Sequence, residues 1–357
     1  AVPAGGLAEQ AYVDALRRDL DFASVPVAGR EIVSVFFGGG TPSLFSARGI
    51  ASVLDHARGL LPFAADVEIT LEANPGTVEH GRFSDYAAAG VNRVSLGAQS
   101  FDEAALTALG RIHGSGDIAR AVEELRAAGI DNFNLDLMYA LPGQDVRGAL
   151  EDIERAIGLG PTHLSHYQLT LEAGTPFAKR PPTDLPADDD AWAMQVECQA
   201  RLAAAGYAQY EVSAYARPGR RCRHNQVYWE YGDYLGVGAG AHGKVTHATT
   251  GAIERTVRAR HPAAYLSAVE PAQRIAETRT VPAPDLPFEF CLNALRLVDG
   301  FTVQQFESRT GLPRAALDAG AMAAQARGLL EWQDDRCRAS ALGRRFLNDL
   351  QAYFLPV

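Results

Sequence analysis

What most constrains this chain is an alternation of short apolar runs with longer amphipathic ones. Runs rich in β-branched and aromatic residues read as strands at Ile32–Phe37, Val67–Leu71, Val91–Leu96, Asp131–Met138 and His163–Leu171. Helical periodicity fills the intervals at Ser46–Leu61, Thr77–Gly90, Asp102–Leu109, Asp117–Gly129 and Val146–Gly160. A further helix, Leu7–Ala23, precedes the first strand, with Ala11, Leu16, Leu20 and Phe22 among its apolar positions. The units recur about 30–40 residues apart, which implies crossover connections and a parallel sheet. The fold class is therefore α/β. A partly closed (β/α) barrel and an open doubly wound sheet both satisfy this alternation. The polar residues favour the barrel, because in every unit they fall at or just past the C-terminal end of the strand, the functional rim of such folds.

Those strand ends have specific chemistry. The first strand, expected to be buried, stops at Gly38-Gly39-Gly40-Thr41-Pro42. Three glycines leave backbone N–H groups unshielded, and Pro42 can open a helix. The other ends carry Glu72 and Asn74, Gln99, Asp136, and His166 with Gln168. A carboxylate in such a place can accept hydrogen bonds from a ribose diol or an amino group. Thr41 and the glycine backbone can bind a carboxylate or an amine, and Arg111 can pair with a ligand carboxylate. Singly, each residue has an ordinary structural reading: a glycine turn, a capping Glu72, a buried Asp136. Jointly, on one rim, they suit a zwitterionic, nucleoside-like ligand.

Downstream, Lys179–Asp190 is rich in Pro and Asp and reads as a loop or lid, Asp190–Gly206 as a helix and Ala208–Tyr215 as another strand. A basic turn over Arg217–Arg223 leads into His224-Asn225-Gln226-Val227-Tyr228-Trp229. Gly236–Ala241 fits GxGxxA superficially, but it does not open a strand–helix unit, so it does not indicate a dinucleotide site. Past Pro284 the pattern turns helical at Phe288–Val298, Phe301–Thr310, Pro313–Arg327 and Leu342–Phe354, with a short hairpin over Leu329–Gln333 and Cys337–Ala339. This resembles a small winged-helix module. The expected domains are residues 1–283 and 284–357.

A net charge of −10 without a Lys/Arg cluster argues against nucleic acid or anionic membrane as a main partner. No apolar run approaches the ~18 residues a membrane span needs. Cys198, Cys222, Cys291 and Cys337 lie tens of residues apart and form neither a CxxC nor a disulfide framework, which fits a reducing cytoplasm. The chain opens on Ala1 in a loop-like AVPAGG, so it is expected to begin inside a longer protein.

Five ordered motifs carry a resemblance that covers nearly the whole chain: GGGTP at 38–42, EANPGT at 72–77, GAQSF at 97–101, GRIH at 110–113 and DLMYALPGQ at 136–144. They resemble the radical S-adenosylmethionine proteins of the oxygen-independent coproporphyrinogen oxidase superfamily. The resemblance implies a partial (β/α)6 TIM-like barrel, here without its first strand, and a small C-terminal helical domain. It implies S-adenosylmethionine held by Gly39, Gly40 and Thr41 at its methionyl end, with Glu72, Gln99, Arg111 and Asp136 at the family's other positions for that ligand. His242 would lie near the adenine. It also implies a [4Fe–4S] cluster on a CxxxCxxC set, and no such set occurs in this sequence. The cluster cysteines are therefore expected upstream of Ala1, and no metal ligand is assigned within the chain.

Within the superfamily, HNQVYW resembles the HNxxYW motif of the haem chaperone branch. His224, Tyr228 and Trp229 then become candidate haem contacts, since an imidazole can ligate iron and aromatic rings can line a macrocycle. The reading that follows is a cytoplasmic haem-binding and haem-transfer protein, monomeric or a cluster-dependent dimer, with haem-donor or haem-acceptor proteins as partners. The alternative is an enzyme of porphyrin biosynthesis, an oxygen-independent coproporphyrinogen III oxidase that decarboxylates propionates to vinyl groups.

Overall fold

The computed structural model describes residues 9–76, 83–172 and 176–356. Chain contacts divide it into two compact units. One comprises residues 34–50 and 68–222; the other comprises residues up to 33, 51–67 and 223 onward.

A seven-stranded sheet dominates the architecture. Its strands are β1 (Ile32–Phe37), β2 (Phe63–Ala73), β3 (Arg93–Gln99), β4 (Phe133–Tyr139), β5 (His163–Gln168), β6 (Ala208–Gln209) and β7 (Ala214–Ala216). Their spatial order is β1-β2-β3-β4-β5-β7-β6. The β2–β3, β3–β4 and β4–β5 pairs are parallel, as the crossover spacing predicts, and β5–β7 is antiparallel. The result is a parallel-rich partial (β/α) barrel. Helices α1 (Glu9–Ser24), α2 (Ala47–Leu60), α3 (Phe83–Ala88), α4 (Glu103–Ala108), α5 (Ser115–Ala127), α6 (Val146–Gly158), α7 (Pro176–Lys179) and α8 (Asp188–Ala204) accompany it. The logic of α6 is typical: Ala149, Asp152, Ile153 and Ala156 are spaced three and four apart and form its buried stripe.

Several expectations are corrected. β1 is an edge strand, none of its residues is buried, and Val33 is 40% exposed. Ala208–Tyr215 is two short antiparallel strands, because the chain reverses between Gln209 and Ala214. The buried face of α1 is Val13, Ala15, Asp19 and Ala23, whereas Ala11 and Phe22 are exposed. Asp19 replaces an apolar residue there because Arg258 pairs with it at 3.0 Å and the Tyr265 hydroxyl donates to it at 2.8 Å. The first part of the helix expected at Thr77–Gly90 lies outside the described residues.

In the unit that holds residue 223 onward, α9 (Arg223–Trp229) precedes an antiparallel sheet that the sequence reading missed. It runs β10-β9-β8, with β8 (His242–Thr246), β9 (Ile253–Arg258) and β10 (Ile275–Thr280). After α10 (Pro262–Ser267) come α11 (Leu286–Ala294), β11 (Phe301–Thr302), α12 (Val303–Thr310), α13 (Ala315–Ala326), the hairpin β12 (Leu330–Gln333) and β13 (Arg336–Ala339), α14 (Ala341–Arg345) and α15 (Leu347–Ala352). β13 lies between β11 and β12 in a three-stranded wing. The single helix expected over Leu342–Phe354 is broken at Phe346, where ψ leaves the helical range. This module's core centres on Phe290, which meets Phe301, Phe306 and Tyr231 edge to face at 4.8, 5.2 and 5.7 Å. Among the described residues no helix is long and apolar enough to cross a membrane.

Candidate functional site

Five segments converge on one polar site within the unit that contains most of the sheet. The glycine segment after β1 turns sharply: Gly39 and Gly40 take φ of +81° and +65°, and Pro42 opens a short 3-10 turn over Pro42–Leu44. A Cβ on Gly38 would lie 2.5 Å from the Phe36 ring and 3.2 Å from the Glu72 carboxyl carbon, so any side chain there would have to displace the Phe36 ring. Gly39 N–H then donates to Glu72 Oε2 at 3.0 Å. Burial raises the Glu72 pKa, the Gly39 bond opposes the rise, and the charge of Asp136 adds to it.

Gln99 closes β3 with φ of +69°, unusual for a residue with a side chain, and is 4% exposed. Its Oε1 accepts from the Tyr167 hydroxyl at 3.0 Å. Tyr167 binds the site together: its pKa is raised first by burial, then by Asp136, while Arg111 lowers it and Glu72 raises it again. Those three charges therefore all act on one phenol. The turn beyond Gln99 is held from α6, where Asp152 accepts from Phe101 N–H at 2.6 Å and Ser100 Oγ at 2.8 Å, and Arg155 donates to the Phe101 carbonyl at 3.0 Å.

Asp136 sits in the middle of β4, not at its end, because the strand continues to Tyr139. Its carboxylate accepts from Asn134 Nδ2 at 2.8 Å and Ser95 Oγ at 3.1 Å. Burial raises its pKa, and bonds from Asn134, Ser165 and Ser95 counter that. His166 does not join the site. It is 3% exposed and packs on the Tyr139 ring at 4.7 Å; neither ring nitrogen has a partner, and burial drives its pKa down to about 3. Strand alternation puts it on the face opposite Ser165 and Tyr167. That same alternation could have identified Asn134 and Ser95 from sequence, since they share period two with Asp136 and Gln99, whereas Ser165 and Tyr167 lie in the opposite phase to His166 and Gln168.

The donor set fits a zwitterionic nucleoside: two carboxylates for amino or hydroxyl groups, an amide, an exposed guanidinium and an open glycine backbone. It does not fit an iron–sulfur cluster. Among the described residues no group of three His, Cys, Asp or Glu could hold a metal ion. The four cysteines are buried and none is in a disulfide, with Cys198 and Cys337 pushed up to about 12 by burial.

The other candidates lie in the second unit. His242 is exposed and opens β8. His224, Tyr228 and Trp229 are on α9, a helix rather than a turn, and no residue of that helix is buried. His224 meets Tyr228 nearly perpendicularly at 4.8 Å, and Tyr228 meets Tyr234 at 4.3 Å, a row of three half-exposed rings. Trp229 carries the Arg296 guanidinium 4.3 Å over its ring.

Residues 13–157 match the Radical SAM superfamily, and residues 281–346 match the HemN C-terminal domain. The heme chaperone HemW of Escherichia coli K12 is 47% identical over 344 residues, 96% of this chain and 89% of that protein. The Haemophilus influenzae protein of the same name is 44% identical, covering 95% and 87%. That of Mycobacterium tuberculosis H37Rv is 37% identical, covering 95% and 85%. Among solved structures, coproporphyrinogen III oxidase (HemN) from Escherichia coli superposes with a TM-score of 0.79 at 22% identity, covering 97% of this chain and 83% of that one. That is a likeness of fold.

Proposed function

The chain belongs to the HemW family of radical S-adenosylmethionine proteins, and on that premise we propose that it is a haem chaperone that binds haem and passes it to an acceptor protein. Membership implies S-adenosylmethionine and a [4Fe–4S] cluster as cofactors. Similarity over nearly the whole of this chain to proteins named heme chaperone carries the reading. The row of partly buried rings formed by His224 and Tyr228 on α9 with Tyr234 beyond it supports it, because aromatic rings can line a flat macrocycle.

In this reading the backbone of Gly39 and Gly40 with Thr41 takes the methionyl end of S-adenosylmethionine, and Glu72 exchanges its bond from Gly39 for one from the ligand amine. Asp136 and Gln99 accept from and donate to the ligand's polar edge, Arg111 meets its carboxylate, and His242 lies by the adenine. Cluster and sulfonium together supply one-electron chemistry when bound. This chain's own residues orient the ligand and hold its charges. His224, Tyr228 and Trp229 contact haem. Residues 284–357 form the C-terminal module, and the protein works in the cytoplasm.

The test is haem titration of the full-length protein, followed by its Soret band. We expect saturable binding in wild type and a shifted, weakened band in His224→Ala. Equal absence of binding in both would overturn the reading, as would turnover of coproporphyrinogen III by the reconstituted protein.

A further inference from the structure

The lumen of the partial barrel contains a hydrogen-bonded chain whose direction is fixed. It starts at Tyr210, between β6 and β7, whose hydroxyl lies 2.8 Å from His163 Nε2. His163 Nδ1 lies 2.7 Å from Asn134 Oδ1, and Asn134 Nδ2 reaches Asp136 Oδ1 and Ser95 Oγ, both at 2.8 Å. Ser95 Oγ then donates to Asp136 Oδ2 at 3.1 Å.

Both Asp136 oxygens accept, Oδ1 from Asn134 and Oδ2 from Ser95, so the Asn134 group facing Asp136 is the amide NH2. That leaves Oδ1 toward His163, so Nδ1 of the imidazole must carry a proton. His163 is 1% exposed, and burial, with Arg93 near, drives its pKa well below the ordinary value, so the ring is neutral. A neutral ring protonated at Nδ1 has a lone pair at Nε2, and the Tyr210 hydroxyl must donate to it. Every link therefore points its proton toward Asp136.

We propose that His163 is a positioning residue for Asp136: through Asn134 it orients the donors that fix this carboxyl group, leaving its remaining lone pairs for S-adenosylmethionine. The proposal rests on the assignment of Asp136 to the S-adenosylmethionine site. β6 and β7, which lie outside the parallel strands, thereby reach the ligand through Tyr210. The role needs only a donor at the Nδ1 position, so asparagine, whose amide nitrogen occupies that place, should substitute for the imidazole while leucine should not.

Two measurements on the full-length protein test this. The first is the imidazole 15N spectrum of histidine-labelled protein, with His163 identified by its loss in H163N. A neutral ring protonated at Nδ1 is expected; protonation at Nε2 in wild type would overturn the proposal whether or not any variant folds. The second is S-adenosylmethionine affinity by calorimetry. H163L should weaken binding about 5- to 10-fold, the scale of one ordinary hydrogen bond, while H163N stays within about twofold of wild type. Because the effect passes through Asp136, H163L in a D136N background should add nothing. If D136N weakens binding and H163L does not, or if the two losses simply add, the proposal fails while the site assignment stands. If D136N binds as tightly as wild type, the site assignment fails and takes the proposal with it.

Discussion

Asp152→Asn removes a buried negative charge from beneath the Gln99 turn. Asp152 is 4% exposed, and burial, the largest influence, raises its pKa to about 6 against bonds from Phe101 N–H and Ser100. The folded value lies above the unfolded one of about 3.9. The native state therefore holds the extra proton between those limits, so stability from this group rises as pH falls through 6 and is lost as pH climbs. From pH 7.5 to pH 5 the gain is about 1.4 kcal/mol. At neutral pH the ionised carboxylate costs about 3 kcal/mol relative to an unshifted one. Asparagine can still accept from Phe101 N–H, and the Ser100 hydroxyl can reverse to meet its amide, but asparagine cannot titrate. Urea unfolding of wild type and Asp152→Asn across that pH range should thus give a stability difference that shifts toward wild type by about 1.4 kcal/mol on acidification. A difference flat with pH would refute the reasoning, and a shift in the opposite direction would mean that the clamp holds the carboxylate below its ordinary range.

Three further outcomes are expected. Gly39→Ala forces a side chain into φ of +81° and should cost about 1 kcal/mol of stability and weaken S-adenosylmethionine binding. Gly29→Ala, with the same φ and open space around it, is the control that should show the strain with unchanged affinity in calorimetry. Phe306→Ala empties the core of the C-terminal module, where the side chain is fully buried against Phe290, and should lower its unfolding free energy by about 3–5 kcal/mol in urea; a loss under 1 kcal/mol would mean the packing described does not hold it. Arg258→Met leaves Asp19 charged and unpaired and should cost about 3–5 kcal/mol, while adding Asp19→Asn should recover most of that in a thermal melt.

Much of the fold could be read in the residues. Crossover spacing gave the parallel pairing of β2 to β5, and the motif segments singled out Glu72, Gln99, Arg111 and Asp136 as candidates because motif chemistry is local in sequence. β8, β9 and β10 went unread, since their runs mix charged and apolar residues on half-exposed faces. The burial of β1 was misjudged for a related reason: an apolar composition states what a strand can bury, while its place in the sheet decides what it does bury.

The sequence by itself determined the alternation, the polar rim residues and the family. Tertiary structure decided their relations. Only pairing between distant strands brings Tyr210, His163, Asn134 and Asp136 into one directed chain. The period of two along a strand fixes which face a residue takes, but hydrogen-bond direction depends on what stands opposite, and in this sheet that partner comes from tens of residues away.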